Sequence, residues 1–196
     1  NKPTITWSVT DDDSGVNPST IGITIDSGSK STGNAIVKTA VSGGYECTYT
    51  PETALSDGSH TIKIDASDND GNAAVQKSVT FKIDTVPPIL SITSPADGLV
   101  TNQAACTVTG TTNDTTSSPV KVTVKLNSGS AESVIVGTDG GFSKVLTLTE
   151  GSNTITIVAT DSAGKSTTVT RTVKLNTSAP VIKSVTLTPN PVDAGK

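Results

Sequence analysis

Acidic clusters are the residues of this chain whose types and spacing could do chemistry. Asp11, Asp12 and Asp13 stand in a row, and Asp68 and Asp70 flank Asn69 farther along. Carboxylates gathered on neighbouring loops repel one another unless water or a cation lies among them. Calcium takes roughly six to eight oxygen ligands from such loops, so the clusters favour a calcium site. Turn geometry is the alternative, because Asp and Asn side chains hydrogen-bond their own backbone in turns.

The sequence contains few residues that could act in catalysis. His60 is the one histidine, and it follows the Gly58 turn at the entry to a strand-like segment. A histidine that acts as a base needs an orienting carboxylate and a nucleophile within hydrogen-bond reach. The sequence shows no such constellation, so we expect no enzyme activity and no catalytic residue.

The elements that position these residues are repeated along the chain. The run from Leu55 to Gly71 returns 93 positions later as the run from Leu148 to Gly164. A period of this size is typical of a small all-β domain and too long for a solenoid repeat. We therefore predict one domain over residues 1–84, a second over 85–176 and the start of a third over 177–196.

Alternation with a period of two predicts short strands throughout both repeats. Ile5, Trp7 and Val9 share one face of the first such segment. The second repeat shows seven segments of this kind, the number typical of an immunoglobulin-like sandwich. The first repeat has no counterpart of residues 89–95, so we expect it to lack its opening strand and the chain to be cut within a domain at both ends.

The motifs of the second repeat resemble bacterial immunoglobulin-like repeats. The residues that carry the resemblance are Thr-Val-Pro-Pro-Ile-Leu-Ser-Ile-Thr-Ser-Pro-Ala-Asp-Gly at 85–98 and Glu-Gly-Ser-Asn-Thr-Ile-Thr-Ile-Val-Ala-Thr-Asp-Ser-Ala-Gly at 150–164. The Asp-Asp-Ser-Gly-Val-Asn-Pro-Ser-Thr-Ile run at 12–21 is similar to a sister subfamily. The resemblance implies two tandem antiparallel β-sandwiches, and a fold of this kind does not by itself specify an activity.

In a sandwich of this kind, the loops that carry Asp11–Asp13 and Asp68–Asp70 emerge at the same end. The equivalent loops of the second repeat carry Asp114 and Asp161, and Asp84 of the linker could approach them. We therefore expect Asp84, Asp114 and Asp161 to form a second candidate metal site at the junction between the repeats. Pro87 and Pro88 make that linker semi-rigid even without a metal.

Composition excludes several partners. The net charge is −4 and no cluster of Lys or Arg is present, which argues against nucleic acid. No apolar run reaches the roughly eighteen residues that a membrane span needs.

Ser and Thr make up 59 of the 196 residues, which suits sandwiches with one wetted face per sheet. Cys47 and Cys106 alternate in phase with apolar residues, so we expect two buried free thiols rather than a disulfide.

The expected function is inferred from the family resemblance, because no single motif of the sequence specifies one. Such repeats occur in surface adhesins, in surface-layer proteins and in accessory regions of secreted polysaccharide hydrolases. We expect a non-catalytic spacer of an extracellular bacterial surface protein, which supports adhesion or displays another module and contacts the neighbouring repeats of its own chain. The alternative is an accessory module of a secreted polysaccharide-degrading enzyme that binds a glycan or a host or cell-surface protein.

Overall fold

The computed structural model describes residues 1–186, and its regular structure is almost entirely β-strand. The first repeat holds β1 (Ile5–Thr10), β2 (Gly22–Ile25), β3 (Val37–Val41), β4 (Gly44–Tyr49), β5 (Gly58–Asp65) and β6 (Lys77–Ile83). The second holds β7 (Ile89–Ser94), β8 (Leu99–Thr101), β9 (Ala105–Asn113), β10 (Lys121–Leu126), β11 (Glu132–Val134), β12 (Gly141–Thr147), β13 (Gly151–Thr160) and β14 (Ser166–Leu175). A short 3-10 turn, Gly33–Ala35, precedes β3. Among the described residues, no helix has the length and apolar character needed to cross a membrane.

The first repeat folds as two three-stranded sheets. One sheet has the strand order β1-β4-β3 and the other β2-β5-β6, and their strand pairs are antiparallel. Burial alternates along β1, whose Ile5, Trp7 and Val9 pack against the core. That core consists of seven buried residues: Val16, Ile21, Ile23, Ile36, Cys47, Ile62 and Ala66. The period-two prediction is therefore confirmed for β1, whereas Val79 of β6, which is in phase with Phe81, is 61% exposed.

The second repeat has a three-stranded sheet, β12-β9-β7, and a five-stranded sheet, β11-β10-β13-β14-β8. Its apolar side chains alternate inward along the long strands, because successive residues of a strand point to opposite faces. Along β13 the residues Asn153, Ile155, Ile157 and Ala159 are all buried. Both repeats are thus all-β immunoglobulin-like sandwiches, as the alternation predicted.

The first repeat has no strand in the position that β7 occupies in the second. In the second repeat, β7 pairs with β9. The strand of the first repeat that corresponds to β9 is β1, and β1 lies at the edge of its sheet. The second repeat also contains β8, which pairs in parallel with β14 through Val173 opposite Leu99. Sequence alternation did not indicate β8 or β3, because neither strand buries a regular set of apolar side chains.

The described residues form two compact units. The first contains Asn1–Ile89, Asn113–Val120 and Ala159–Thr167, and the second contains Leu90–Thr112, Lys121–Val158 and the chain from Thr168 onward. Two loops of the second repeat thus belong to the unit that contains the first repeat. Residues 176–186 carry no strand, and residues 187–196, where the rest of the expected third repeat falls, lie outside the described residues.

Candidate metal centre

Three strand ends bring three aspartates together. Asp84 follows β6, Asp114 follows β9 and Asp161 follows β13, each as the first residue beyond its strand. One carboxylate oxygen from each lies within 4.8 Å of the others, and all three residues belong to the first compact unit. Within residues 1–186, this is the one group of three such side chains close enough to share a metal ion.

Backbone N–H groups hold one oxygen of each carboxylate in place. The donors to Oδ1 are Val86 on Asp84 at 3.0 Å, Lys165 on Asp161 at 2.8 Å, and Thr116 and Ser117 on Asp114 at 2.8 and 2.7 Å. These are the side-chain-to-backbone bonds that Asp makes in turns. The hydrogen bonds of the turns therefore engage Oδ1 of each aspartate and do not account for Oδ2.

The second oxygens of two of these aspartates are buried without a partner. Asp84 is 9% exposed and Asp161 is 5% exposed, and the Oδ2 atom of each has no hydrogen-bond partner. The Ser117 side chain and the Val86 N–H hold the pKa of Asp84 below its ordinary value, against the opposing effect of burial, with a smaller contribution from the charge of Lys165. The Asp84 carboxylate is therefore a negative charge at neutral pH.

The linker residues beside Asp84 are also held. Pro88 is fully buried, and its carbonyl accepts a 2.6 Å hydrogen bond from the Thr167 hydroxyl. Lys82, near the end of β6, directs its ammonium toward the carbonyl of Thr116 at 3.5 Å. These bonds connect the three segments that carry the aspartates and restrict how far the carboxylates can move apart.

The other predicted acidic cluster is arranged differently. The two loops meet, since Val16 and Asp68 form an antiparallel bridge and the Asn69 N–H donates to the Gly15 carbonyl at 3.0 Å. Asp11 accepts the Gly15 N–H at 2.7 Å. Asp68 accepts both the backbone and the side-chain N–H of Asn72 at 2.7 Å, and the Asn72 side chain is the main cause of its lowered pKa.

Asp12, Asp13 and Asp70 are exposed to solvent on these loops. The structure thus brings Asp84, Asp114 and Asp161 into one cluster, whereas Asp11, Asp12, Asp13, Asp68 and Asp70 do not form a comparable group. Water can solvate the exposed carboxylates, which relieves the mutual repulsion that suggested a cation there.

His60 has a partner that sequence reasoning missed. Its buried ring places Nδ1 2.8 Å from Asp26 Oδ2 and Nε2 2.8 Å from the Ser56 carbonyl oxygen. Because both nitrogens face acceptors, neither is free to take a proton from a substrate. The signal that could have identified Asp26 is its Asp-Ser-Gly turn, which returns as Asn-Ser-Gly at Asn127, just as His60 returns as Asn153.

Each of the two repeats matches a known protein family. Residues 1–85 match the family described as a bacterial Ig-like domain, and residues 88–177 match domain B of glucodextranase. The chain is composed of bacterial immunoglobulin-like repeats.

The chain spans only a small part of the curated relative that it matches. Bacillopeptidase F from Bacillus subtilis (strain 168) is 31% identical over 131 residues, which are 67% of this chain and 9% of that protein. Among solved structures, the fibronectin(III)-like modules of Clostridium thermocellum CbhA have 18% identity and a TM-score of 0.45, covering 88% of this chain and 85% of that one. Dimeric latent PorU from Porphyromonas gingivalis has 17% identity and a TM-score of 0.36, covering 89% and 18%. The two sequence matches, to a domain of glucodextranase and to a short part of Bacillopeptidase F, support an accessory module.

Proposed function

We propose that this chain is a non-catalytic spacer of an extracellular bacterial protein, which holds an adhesive or catalytic module away from the cell envelope. The observation that carries the proposal is the position of the aromatic side chains. All of them are buried or half-buried against the cores: Trp7, Tyr45, Tyr49, Phe81 and Phe142. Aromatic side chains dominate the energetics of protein interfaces, so a surface without an exposed one is poorly suited to recognition.

The polar groups support the same proposal. Both ring nitrogens of His60 are engaged, so the one histidine of the chain has no free group for acid–base chemistry. The exposed apolar residues are aliphatic and include Val37, Val75 and Ile135. Single aliphatic side chains on a surface are ordinary in soluble proteins and do not indicate a binding face.

One feature favours the accessory binding module as a second candidate. An open hollow of about 510 Å³ is lined by residues that include Asp26, Tyr49, Pro51 and Glu52. A half-buried tyrosine beside carboxylates is a chemistry that sugars can use, through ring contact and hydrogen bonds. A binding function would place its ligand there.

A display experiment tests the spacer. The chain is inserted between an envelope anchor and a reporter binding domain on a bacterial surface, and capture of ligand-coated beads is measured. Replacement by two unrelated immunoglobulin-like domains of equal length should preserve capture, and deletion should reduce it. Loss of capture on replacement would contradict a spacer role.

A binding experiment distinguishes the second candidate. The chain and its Tyr49→Ala variant are titrated with a panel of soluble polysaccharides by calorimetry. The spacer predicts no saturable heat for either protein. Saturable binding that Tyr49→Ala abolishes would establish the accessory binding module instead.

A further inference from the structure

We propose that residues 180–186 of one copy of this chain add as a strand to the free edge of β1 in a second copy. The inference goes beyond the spacer function and does not depend on it. Within residues 1–186, β1 pairs with β4 on one side and with no strand on the other. A free edge presents unpaired N–H and C=O groups that another chain can bind.

The strand registers show which residues of the two repeats correspond. Thr10, at the end of β1, lies opposite Gly44. Near the end of β9, Thr111 lies opposite Gly141 in the same way. Both glycines begin the partner strand and follow another glycine, so the two pairs are equivalent. Counting back along both strands gives three pairs of counterparts: Ile5 and Cys106, Trp7 and Val108, and Val9 and Gly110.

The core of the first repeat is less well covered along this edge. In β9, which has β7 beside it, Val108 is 0% exposed and Cys106 is 6% exposed. Their counterparts in β1, Trp7 and Ile5, are only half-buried. A strand in the position of β7 would therefore remove apolar surface of β1 from water, which favours its binding.

The donor segment has the exposure and the composition that such a strand needs. Residues 180–186 read Pro-Val-Ile-Lys-Ser-Val-Thr, and they stand 92 positions after the start of β7 and the proline before it. Val181, Ile182 and Val185 are 81%, 83% and 89% exposed, and the segment belongs to no strand. Val and Ile favour strands because their branched side chains pack on a pleated surface. The segment thus pairs its backbone and buries apolar surface when it meets a free edge.

Charge also matches between donor and acceptor. The one charge of the donor segment is the ammonium of Lys183, and β1 leads directly into Asp11–Asp13. The counterpart of Lys183 in β7 is Ser91, whose carbonyl oxygen lies close to Gly110. Because Gly110 corresponds to Val9, a donor in the same register places Lys183 near the acidic run. Opposite charges of this kind favour the correct register over others.

Donor and acceptor are different surfaces, which determines how the copies assemble. The donor belongs to the second compact unit and β1 to the first. A contact between two different surfaces leaves a free donor at one end and a free acceptor at the other, so the assembly can lengthen. One short strand buries less than the roughly 1,200 Å² of a stable interface, so the association is weak and depends on concentration.

The experiment measures mass in solution by sedimentation equilibrium. Between about 10 µM and about 1 mM, the weight-average mass of the parent chain should rise past that of a dimer. A chain that ends at residue 178 keeps the acceptor edge and lacks the donor, so by itself it should stay a monomer. Added in excess to the parent chain, it should terminate the assemblies and lower their average mass.

Proline variants test whether the donor backbone pairs. In a strand, the N–H groups of successive residues point to opposite sides, so Ser184→Pro with Val185→Pro removes whichever one faces β1. This double variant should remain a monomer. Ala179→Pro is the matched control, since it reproduces the Pro87-Pro88 pair of the other linker and lies before the donor. It should assemble like the parent chain.

Cross-linking identifies the acceptor edge. In the second repeat, the hydroxyl oxygens of Thr93 in β7 and Thr109 in β9 lie 2.9 Å apart. Their counterparts are Val185 in the donor and Ser8 in β1.

A chain with Val185→Cys is mixed with a chain that ends at residue 178 and carries Ser8→Cys, and the mixture is oxidised with copper phenanthroline. A disulfide between the two chains should form. Thr80→Cys, at an exposed position of β6, replaces Ser8→Cys in the control and should give little product. The two native thiols are buried and should not compete.

Each outcome bears on the pairing directly. Assembly that is lost in the double proline variant and kept in Ala179→Pro, with a disulfide that requires Ser8→Cys, supports it. A parent chain that stays a monomer up to about 1 mM overturns it. Assembly that survives removal of residues 179–196 also overturns it, because another edge must then be responsible. Equal cross-linking of Ser8→Cys and Thr80→Cys would contradict β1 as the acceptor.

Discussion

His60, which is buried, and Asp26, which is exposed to solvent on one side, form an ion pair in which His60 Nδ1 lies 2.8 Å from Asp26 Oδ2. The second ring nitrogen lies 2.8 Å from the Ser56 carbonyl oxygen. Since a carbonyl and a carboxylate both accept, satisfying both contacts requires both ring nitrogens to donate, and the ring is then an imidazolium. The Ser56 carbonyl and the Asp26 carboxylate accordingly raise the pKa of His60.

The second repeat performs the same role with neutral residues. Asn127 replaces Asp26 in an equivalent turn, with φ of 53° against 54°, and Asn153 replaces His60. Asn127 Nδ2 donates to Asn153 Oδ1 at 3.2 Å, and Asn153 Nδ2 donates to the Thr149 carbonyl at 2.7 Å. One repeat thus joins the turn to the strand through charge and the other through amides.

Stability of the first repeat should therefore depend on pH. Because the folded pKa of His60 is raised above 6.5, its contribution is fully present below pH 6.5 and is lost as pH rises through the folded value. The Thr61 N–H and His60 lower the pKa of Asp26 below 3.8, so its contribution is present above 3.8 and is lost as pH falls through its folded value. Urea unfolding followed by Trp7 fluorescence should show a lower midpoint at pH 8.5 than at pH 5.5.

The control for this pH dependence is the double variant Asp26→Asn with His60→Asn, which reproduces the second repeat. Its unfolding midpoint should change less between the two pH values than that of the parent chain. An equal change in both proteins would show that the ion pair is not responsible.

Packing predicts a large effect at Ile23 and a small one at Val75. Ile23 is 1% exposed in the core of the first repeat, whereas Val75 is 86% exposed. Ile23→Ala should lower the free energy of unfolding by about 2–5 kcal/mol, because it removes buried methyl groups and leaves a cavity. Val75→Ala should change it by less than about 0.5 kcal/mol. Comparable losses in the two variants, measured by urea unfolding, would contradict the core assignment.

Gly44 is required where β4 passes close to β1. A Cβ atom at this position would lie 2.0 Å from the Val9 carbonyl oxygen, so Gly44→Ala forces the backbone to move. Gly71→Ala is the comparison, since its φ of +91° is strained for alanine but nothing lies within 4 Å of the added carbon. We expect Gly71→Ala to cost on the order of 1 kcal/mol and Gly44→Ala more. Equal melting temperatures for the two variants would be inconsistent with the close approach.

The two thiols should be slow to react. Cys47 and Cys106 are buried and unpaired, and burial raises the pKa of both thiols. A raised pKa lowers the fraction of reactive thiolate, and burial blocks the reagent. Native protein should react slowly with a thiol reagent and denatured protein should show two free thiols without reductant. Fast native labelling at both positions would be the contrary result.

The sequence by itself determined the class of fold and the inward face of most strands. Residues such as Ile5, Trp7 and Val9 show their burial through local alternation, which is a property of the strand backbone. The repeated motifs likewise indicated two similar domains. The same alternation correctly predicted that Cys47 and Cys106 are buried, and their places in separate repeats correctly predicted that they are free.

Tertiary structure decided which polar residues meet. Eight aspartates were candidates from their loops, and their positions along the chain could not rank them. The distances among Asp84, Asp114 and Asp161 depend on where β6, β9 and β13 end in space. The same holds for His60 and Asp26, and for β8, whose parallel partner lies more than seventy residues away. Sequence periodicity reports the environment of one strand, whereas carboxylate clusters and strand pairs depend on separations that only the folded chain sets.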